Sequence, residues 1–449
     1  MSDKKIVDMT VGSPMKHILG FMFPTLVGYL FQQFYSVVDT IIIGRYLGED
    51  SLAAVGSTGP INFMIIGFCM GLCSGFAIPI SQRFGAKDYT SMRRFVANCI
   101  WTAAGIGIIL TVIVCIFSMD ILRLLRTPSN IIDEANVYIF IIFLGIPVTI
   151  MYNMASGIMR SLGDSRTPVY FLLLSSGLNI ILDILMVGWL GIAGPAWATV
   201  ISQLVSGILC IVYMRSRFDI LRLRREDLPF DMKYSGALMY IGIPMGLQYS
   251  ITAIGSVLLQ SAVNVLGSTY VASSATAIKI SMFFSCPYDA LGSTAATYGG
   301  QNIGAKKPDR ISQGLKCCVL IGAVYSLAAL LVMLVFGKNL AFIFLKEPSE
   351  LLIKNTAMYL TCNASFYMCL CLVNTVRFLI QGMGYSMLAI AAGVFEMIAR
   401  GFAGLFLVPR YGYIAACFAS PLAWVMADIF LITAYVLIMS RLKRNMGNG

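Results

Sequence analysis

Hydrophobic residues run along this chain in blocks far longer than soluble helices or strands require. Apolar stretches of about 20 residues or more suit helices that cross a bilayer. Twelve such stretches can be drawn, at 17–45, 53–81, 94–118, 135–158, 168–190, 194–214, 236–264, 271–299, 313–337, 355–378, 387–408 and 414–438. Several exceed the crossing length, which predicts tilt or protrusion. One connection is long and strongly polar, from Arg215 to Lys233. It divides the chain into an N-terminal lobe (1–214), a linker (215–235) and a C-terminal lobe (236–449).

The halves read as copies. Gly20 to Pro24 is echoed by Tyr240 to Pro244, and Leu47-Gly48 by Leu266-Gly267. Gln82-Arg83-Phe84-Gly85-Ala86-Lys87 returns as Gln301-Asn302-Ile303-Gly304-Ala305-Lys306, and Gly191-Ile192-Ala193 as Gly412-Tyr413-Ile414. The offset stays near 220 residues. Six spans per copy gives both copies one orientation, with a pseudo-two-fold axis along the membrane normal and a cavity expected between the lobes. The predicted fold is therefore an all-α polytopic membrane protein of twelve transmembrane helices in two pseudo-symmetric six-helix bundles.

Composition agrees with this pattern. The 449 residues are 58% hydrophobic and 12% charged, about half the charge of an ordinary soluble domain, and the mean hydropathy is +0.82. The net charge of +11 could suggest nucleic acid, but the basic residues cluster in alternate short loops: Arg83 to Arg94, Arg160 and Arg166, Arg215 to Arg225, Lys306 to Arg310, and Arg441 to Arg444. That is the positive-inside distribution, which predicts cytoplasmic termini and an inner-membrane location with no nucleic-acid partner. The polar stretch Met1 to Lys16 and the long first apolar run do not resemble a cleavable signal peptide. Most of the twelve cysteines lie in apolar spans as small hydrophobes. His17 is the single histidine, so zinc spacing is missing, and a structural role is expected for it. No glycine-rich nucleotide loop or nucleophile arrangement occurs, which excludes an ATP-driven pump on one chain and argues against an intramembrane hydrolase. No cofactor is expected.

The candidate chemistry lies in two acids, Asp39 and Asp183, placed inside spans without a basic residue within one or two turns on their own helix. A carboxylate in hydrocarbon costs several kcal/mol unless it is paired, hydrated or protonated. Such acids are candidate binders of protons, sodium ions or cationic substrates. Gln32, Tyr35 and Asp39 share one helical face by spacing, as do Asn179 and Asp183. Asn153 and Thr199 could add oxygens, making a cage that either solvates a carboxyl proton or coordinates Na+ at Asp39, Asn179 and Asp183. A purely structural polar network is the alternative. The second lobe has mixed charges: Lys279, Asp289, Glu396, Arg400 and Asp428. Internal pairing, above all of Glu396 with Arg400 at i, i+4, competes there with contact to substrate. Gln32, Asp39, Asp183, Glu396, Arg400, Lys279 and Asp289 are the expected substrate-cavity residues.

Pro24 with Val38 to Gly48 and Leu52 to Gly56, together with Gln301 to Ala305 and Met159 to Asp164, resembles the motifs of the multidrug and toxic compound extrusion (MATE) family. The resemblance covers essentially the whole chain. It implies secondary active export of organic cations or other amphiphiles by antiport against H+ or Na+, through a V-shaped pair of bundles. Within the branch resembling the DNA-damage-inducible and archaeal members, it implies ion coupling at Tyr35, Asp39, Asn153, Asn179, Asp183 and Thr199. A second family pattern, acids in the seventh and tenth spans, is missing; those spans offer Gln248, Gln260, Asn363 and Asn374. Two alternatives remain: a lipid-linked saccharide flippase of the same superfamily, for which the spans hold few basic residues, and a passive channel, for which no filter-like segment is present. The expected partners are small-molecule substrates and membrane lipid, and the default state is a monomer.

Overall fold

The computed structural model describes residues 6–447 apart from 126, 341 and 343–348, and among these there is no strand. In the first half the helices are α1 Pro14–Tyr46, α2 Glu49–Gly85, α3 Tyr89–Ile116, α4 Ser118–Leu124, α5 Ile132–Leu144, α6 Ile146–Ser161, α7 Arg166–Leu190 and α8 Ala193–Arg217. The second half has α9 Met232–Val265, α10 Ser268–Gly304, α11 Pro308–Leu340, α12 Glu350–Ala364, α13 Tyr367–Gly382, α14 Ser386–Phe402, α15 Val408–Tyr411 and α16 Tyr413–Gly447. Among the described residues nine helices are long and apolar enough to cross a membrane. Two bent pairs, α5 with α6 and α12 with α13, raise the number to eleven. The one expected span left over, 271–299, corresponds to α10. It is 37 residues long, but Lys279, Asp289 and many serines and threonines make it the least apolar.

The spans expected at 135–158 and 355–378 are broken rather than continuous. The first bends by 45° and the second by 50°, at matching places in the two halves. Pro147 explains the first break. It stands at the start of α6, where its missing N–H costs nothing, instead of kinking a helix interior. No proline marks the second break, at Ser365 and Phe366.

Two compact units emerge. One comprises the described residues up to Asp8 with Val27–Ser250; the other comprises Met9–Leu26 with Ile251–Gly449. The division therefore falls inside α1 and α9, shortly after Pro24 and Pro244, rather than at the polar linker. In the first unit the linker is docked, not free. Asp227 is buried, bonded to Arg93 of α3 at 3.0 Å and to the Arg224 N–H. Trp101 donates to the Leu228 carbonyl at 3.0 Å, and Asn98 accepts from the Asp231 N–H at 2.8 Å. These bonds deliver the chain to α9.

The first part of α9 then lies directly against α2. Gly67, Gly71 and Gly75 recur every four residues on α2, and Gly242 and Gly246 do so on α9. A Cβ at Gly71 would stand 2.4 Å from the Met245 carbonyl oxygen, and one at Gly75 would stand 2.5 Å from the Gly242 Cα. Small residues at such spacing let two backbones touch where lipid gives no hydrophobic drive for association. In the second unit Tyr288, Tyr298 and Tyr367 are fully buried.

The duplicated turns after α2 and α10 have the same geometry. Lys87 (φ 58°) and Lys306 (φ 56°) both take the left-handed conformation. Each turn closes with a six-to-one bond, Asp88 N–H to Arg83 O and Lys307 N–H to Asn302 O, and a five-to-two bond inside it.

Gly71→Ala should lower thermal stability by roughly 1–3 kcal/mol through forced separation of α2 and α9. Thermal unfolding of the purified protein in detergent would measure it, with Gly20→Ala, where a Cβ meets nothing within 4 Å, as the neutral control.

Candidate functional site

The first unit gathers its acids from α1 and α7. Asp183 is fully buried on α7, and its carboxyl group lies beside that of Asp39 on α1. Asn179, one turn before Asp183, donates through Nδ2 to Asp183 Oδ1 at 3.5 Å and to Thr199 Oγ1 on α8 at 3.4 Å. Thr199 in turn donates to the Pro195 carbonyl at 3.0 Å. Tyr35 lies within electrostatic reach of Asp39 and bonds to Gln32 one turn away. The spacing argument thus places Gln32, Tyr35, Asp39, Asn179, Asp183 and Thr199 in one neighbourhood. Asn153, on α6, donates to the Thr149 carbonyl of its own helix at 2.9 Å.

The chemistry of this cluster is set by what its oxygens lack. No N–H or hydroxyl donor reaches Oδ1 of Asp39, Oδ2 of Asp183 or Oδ1 of Asn179, all of them buried. Two carboxyl groups can bond to each other only when they hold a proton between them, because ionised carboxylates accept and do not donate. A compact hard cation could replace that proton with oxygen ligands. Tyr138 of α5 lies close to Asp39, Asp183 and Tyr35 and is buried. Sequence reasoning missed it, since an isolated tyrosine in an apolar run carries no spacing signal.

The second unit arranges its charges differently. Glu396 of α14 is bonded to Arg400 at 3.3 Å, the expected i, i+4 pair, and also to Arg377 of α13. Arg377 was not among the residues that the sequence singled out, yet it lies in the tenth span and shares the carboxylate. Asp428, expected near Arg400 or Lys279, has Arg377 as its charged neighbour. Asp289 accepts from Asn374 Nδ2 at 3.1 Å. Lys279 and Asp289 both occupy exposed positions of α10.

The MatE family model matches residues 24–185 and 244–402, two segments whose starts are 220 residues apart and which coincide with the duplicated halves. This chain belongs to the MATE family. It is a multi-pass membrane transporter of the multidrug-efflux kind and not an enzyme. Among similar curated proteins, "Probable multidrug resistance protein YoeA" of Bacillus subtilis (strain 168) is 31% identical over 76% of each chain. "Multidrug export protein MepA" of Staphylococcus haemolyticus (strain JCSC1435) is 25% identical over 88% of each. Among solved structures, "Crystal structure of MATE in complex with MaL6" superposes with a TM-score of 0.91 at 22% identity, covering 98% of this chain and 99% of that one. At that identity the superposition establishes the fold.

Breaking the second-unit charge cluster should be far more costly than thinning the first-unit cage. Glu396→Ala leaves two buried guanidinium groups without their carboxylate and should destabilise by about 3–5 kcal/mol. Asn179→Ala removes only long hydrogen bonds and should cost under about 1.5 kcal/mol. Unfolding curves in detergent would compare the two.

Proposed function

We propose that this transporter exports organic cations, or amphiphiles with a cationic group, by antiport against H+ or Na+ held at the Asp39–Asp183 pair. The supporting observation is the set of donor-free oxygens on Asp39, Asp183 and Asn179, grouped in the interior of the first unit. A carboxyl pair with one exchangeable cation has two states that differ by one charge. A substrate cation gains most from the ionised state, and the coupling ion removes that state, so the two compete. Thr199 holds Asn179 in place from α8, and Tyr35 and Tyr138 border the acids with phenol groups. The printed names of the similar proteins, multidrug resistance and multidrug export, support the substrate class.

The same reading places the protein in the plasma (inner) membrane with both termini in the cytoplasm. The basic loops carry that assignment. A single chain contains both units, so a monomer is a complete transporter in this scheme.

Competition fixes the sign of the pH effect. Lowering the pH protonates the acid pair and should weaken binding of an organic cation, whereas raising it should strengthen binding. The test is efflux of a fluorescent organic cation from proteoliposomes under separately imposed proton and sodium gradients. Transport should follow one gradient and fall at least about tenfold in Asp39→Asn and Asp183→Asn, the effect of losing roughly 1.4 kcal/mol or more of coupling. Folded variants that retain full gradient-driven transport would refute the assignment. Saturable movement that ignores both gradients would instead favour a flippase.

A further inference from the structure

By its charge the linker reads as an aqueous connection, yet the last part of it presents apolar side chains. Leu228 (44%), Phe230 (59%) and Met232 (66%) are exposed at alternate positions, and Trp101 of α3 is 55% exposed. The Trp101 indole N–H donates to the Leu228 carbonyl at 3.0 Å, so the linker and this ring share one surface. A loop that faces only water has no reason to gather four large apolar groups.

The course of α3 shows what covers them. The helix rises about 18 Å between its start at Tyr89 and Trp101, passing Arg93 and Arg94 on the way. From Trp101 to Ile116 every exposed position of α3 is apolar, the surface that lipid tails cover. Trp101 therefore marks the level at which α3 enters hydrocarbon, the customary place of an interfacial tryptophan. Its bond to Leu228 holds the linker at that level and out of bulk water. Backbone groups at such depth need partners. The Asp231 N–H bonds to Asn98 Oδ1 at 2.8 Å, the Ser235 hydroxyl donates to the same oxygen at 3.1 Å, and Pro229 has no N–H to satisfy.

Charge completes the site. Arg93, Arg94 and the stretch Arg222–Lys233 carry six basic residues against three acids. Asp227 is already paired with Arg93. Asp231, which is also near Arg94, caps α9 by accepting the Lys233 N–H at 2.8 Å. Arg94 and Lys233 are both exposed, and they flank Tyr234. Arg94 lies beside the Tyr234 phenol, Lys233 precedes it in the chain, and its ring meets Phe95 edge-on at 4.8 Å.

We propose that α3 and the linker form a binding site for one anionic phospholipid of the adjoining leaflet. The phosphate lies between Arg94 and Lys233, and the acyl chains cover Trp101, Leu228, Phe230 and Met232. Basic side chains at a membrane surface favour anionic lipid by roughly fivefold each, and the apolar segment supplies contact that a soluble anion would not use. A lipid held here braces the linker at the point where it delivers the chain to α9. The inference concerns the first unit and stands whether or not Asp39 and Asp183 couple an ion.

The test is lipid retention by the full-length protein released from detergent micelles, read by native mass spectrometry during titration with phosphatidylglycerol or with phosphatidylcholine of the same chains. The wild type should hold one phosphatidylglycerol at least about tenfold more tightly than phosphatidylcholine, as two basic contacts require. Arg94→Gln with Lys233→Gln should lose most of that preference. Arg441→Gln with Arg444→Gln removes the same charge from the C-terminal tail and should keep it. Leu228→Ser with Phe230→Ser should weaken both lipids together. If the first double variant no longer unfolds cooperatively, Lys233→Gln alone decides, with about half the loss. Phosphatidylglycerol brominated high in its chains should quench the fluorescence that Trp101→Phe removes. Equal retention of the two lipids by the wild type, an equal loss of preference in the linker and tail variants, or an unquenched Trp101 would each overturn the proposal.

Discussion

Contact between two backbones, α2 and the beginning of α9, is the constraint on which the first unit rests. Hydrocarbon tails solvate leucine as well as another helix does, so association inside a bilayer depends on close packing and hydrogen bonds. Gly71 and Gly75 meet Gly242 and Gly246 with no room for a Cβ. The contact is possible only because the linker first turns the chain back along α3, held by Asn98, Arg93 and Trp101. A segment that looks like a divider in the sequence is thus what adds the first part of α9 to the first unit.

Duplication supplied a frame, and the two copies then took different chemistry. Both halves keep the left-handed lysine turn, the long second helix of 37 residues and the broken fourth helix. The first half places two acids together beside an amide and two phenols, with no ion pair to either acid among the described residues. The second half divides one glutamate between two arginines, with Asp428 near one of them. The second arrangement pairs its charges internally, whereas the first leaves its two acids without a basic partner among the described residues.

Much of this was legible in the sequence because membranes make polarity conspicuous. Asp39 and Asp183 are visible as acids in apolar runs, and helical spacing alone joins Asn179 to Asp183 and Gln32 to Tyr35. The 220-residue register is visible because turns repeat glycine and lysine at fixed places. What was hidden depends on partners from other helices. Arg377 and Glu396 are 19 residues apart and on separate spans, so nothing local announces their bond. Tyr138 comes near the acids only through the tertiary arrangement that brings α5 to Asp39 and Asp183. The break at Ser365 and Phe366 has no proline to declare it, and the docking of Asp227 under Arg93 looks from the sequence like one more charge in a polar loop. The division of the chain inside α1 and α9 is equally invisible, since both helices run unbroken through it.

The lengths of α2 and α10 have a consequence for what the protein offers to water. A helix of 37 residues runs about 55 Å, against roughly 30 Å of hydrocarbon. Even with tilt, some 20 Å of each rod stands beyond the apolar slab, and each ends in a basic turn at Lys87 or Lys306. In each unit the part offered to water is therefore an extension of a spanning helix. Each half thus ends its second helix in a positively charged turn of the same geometry.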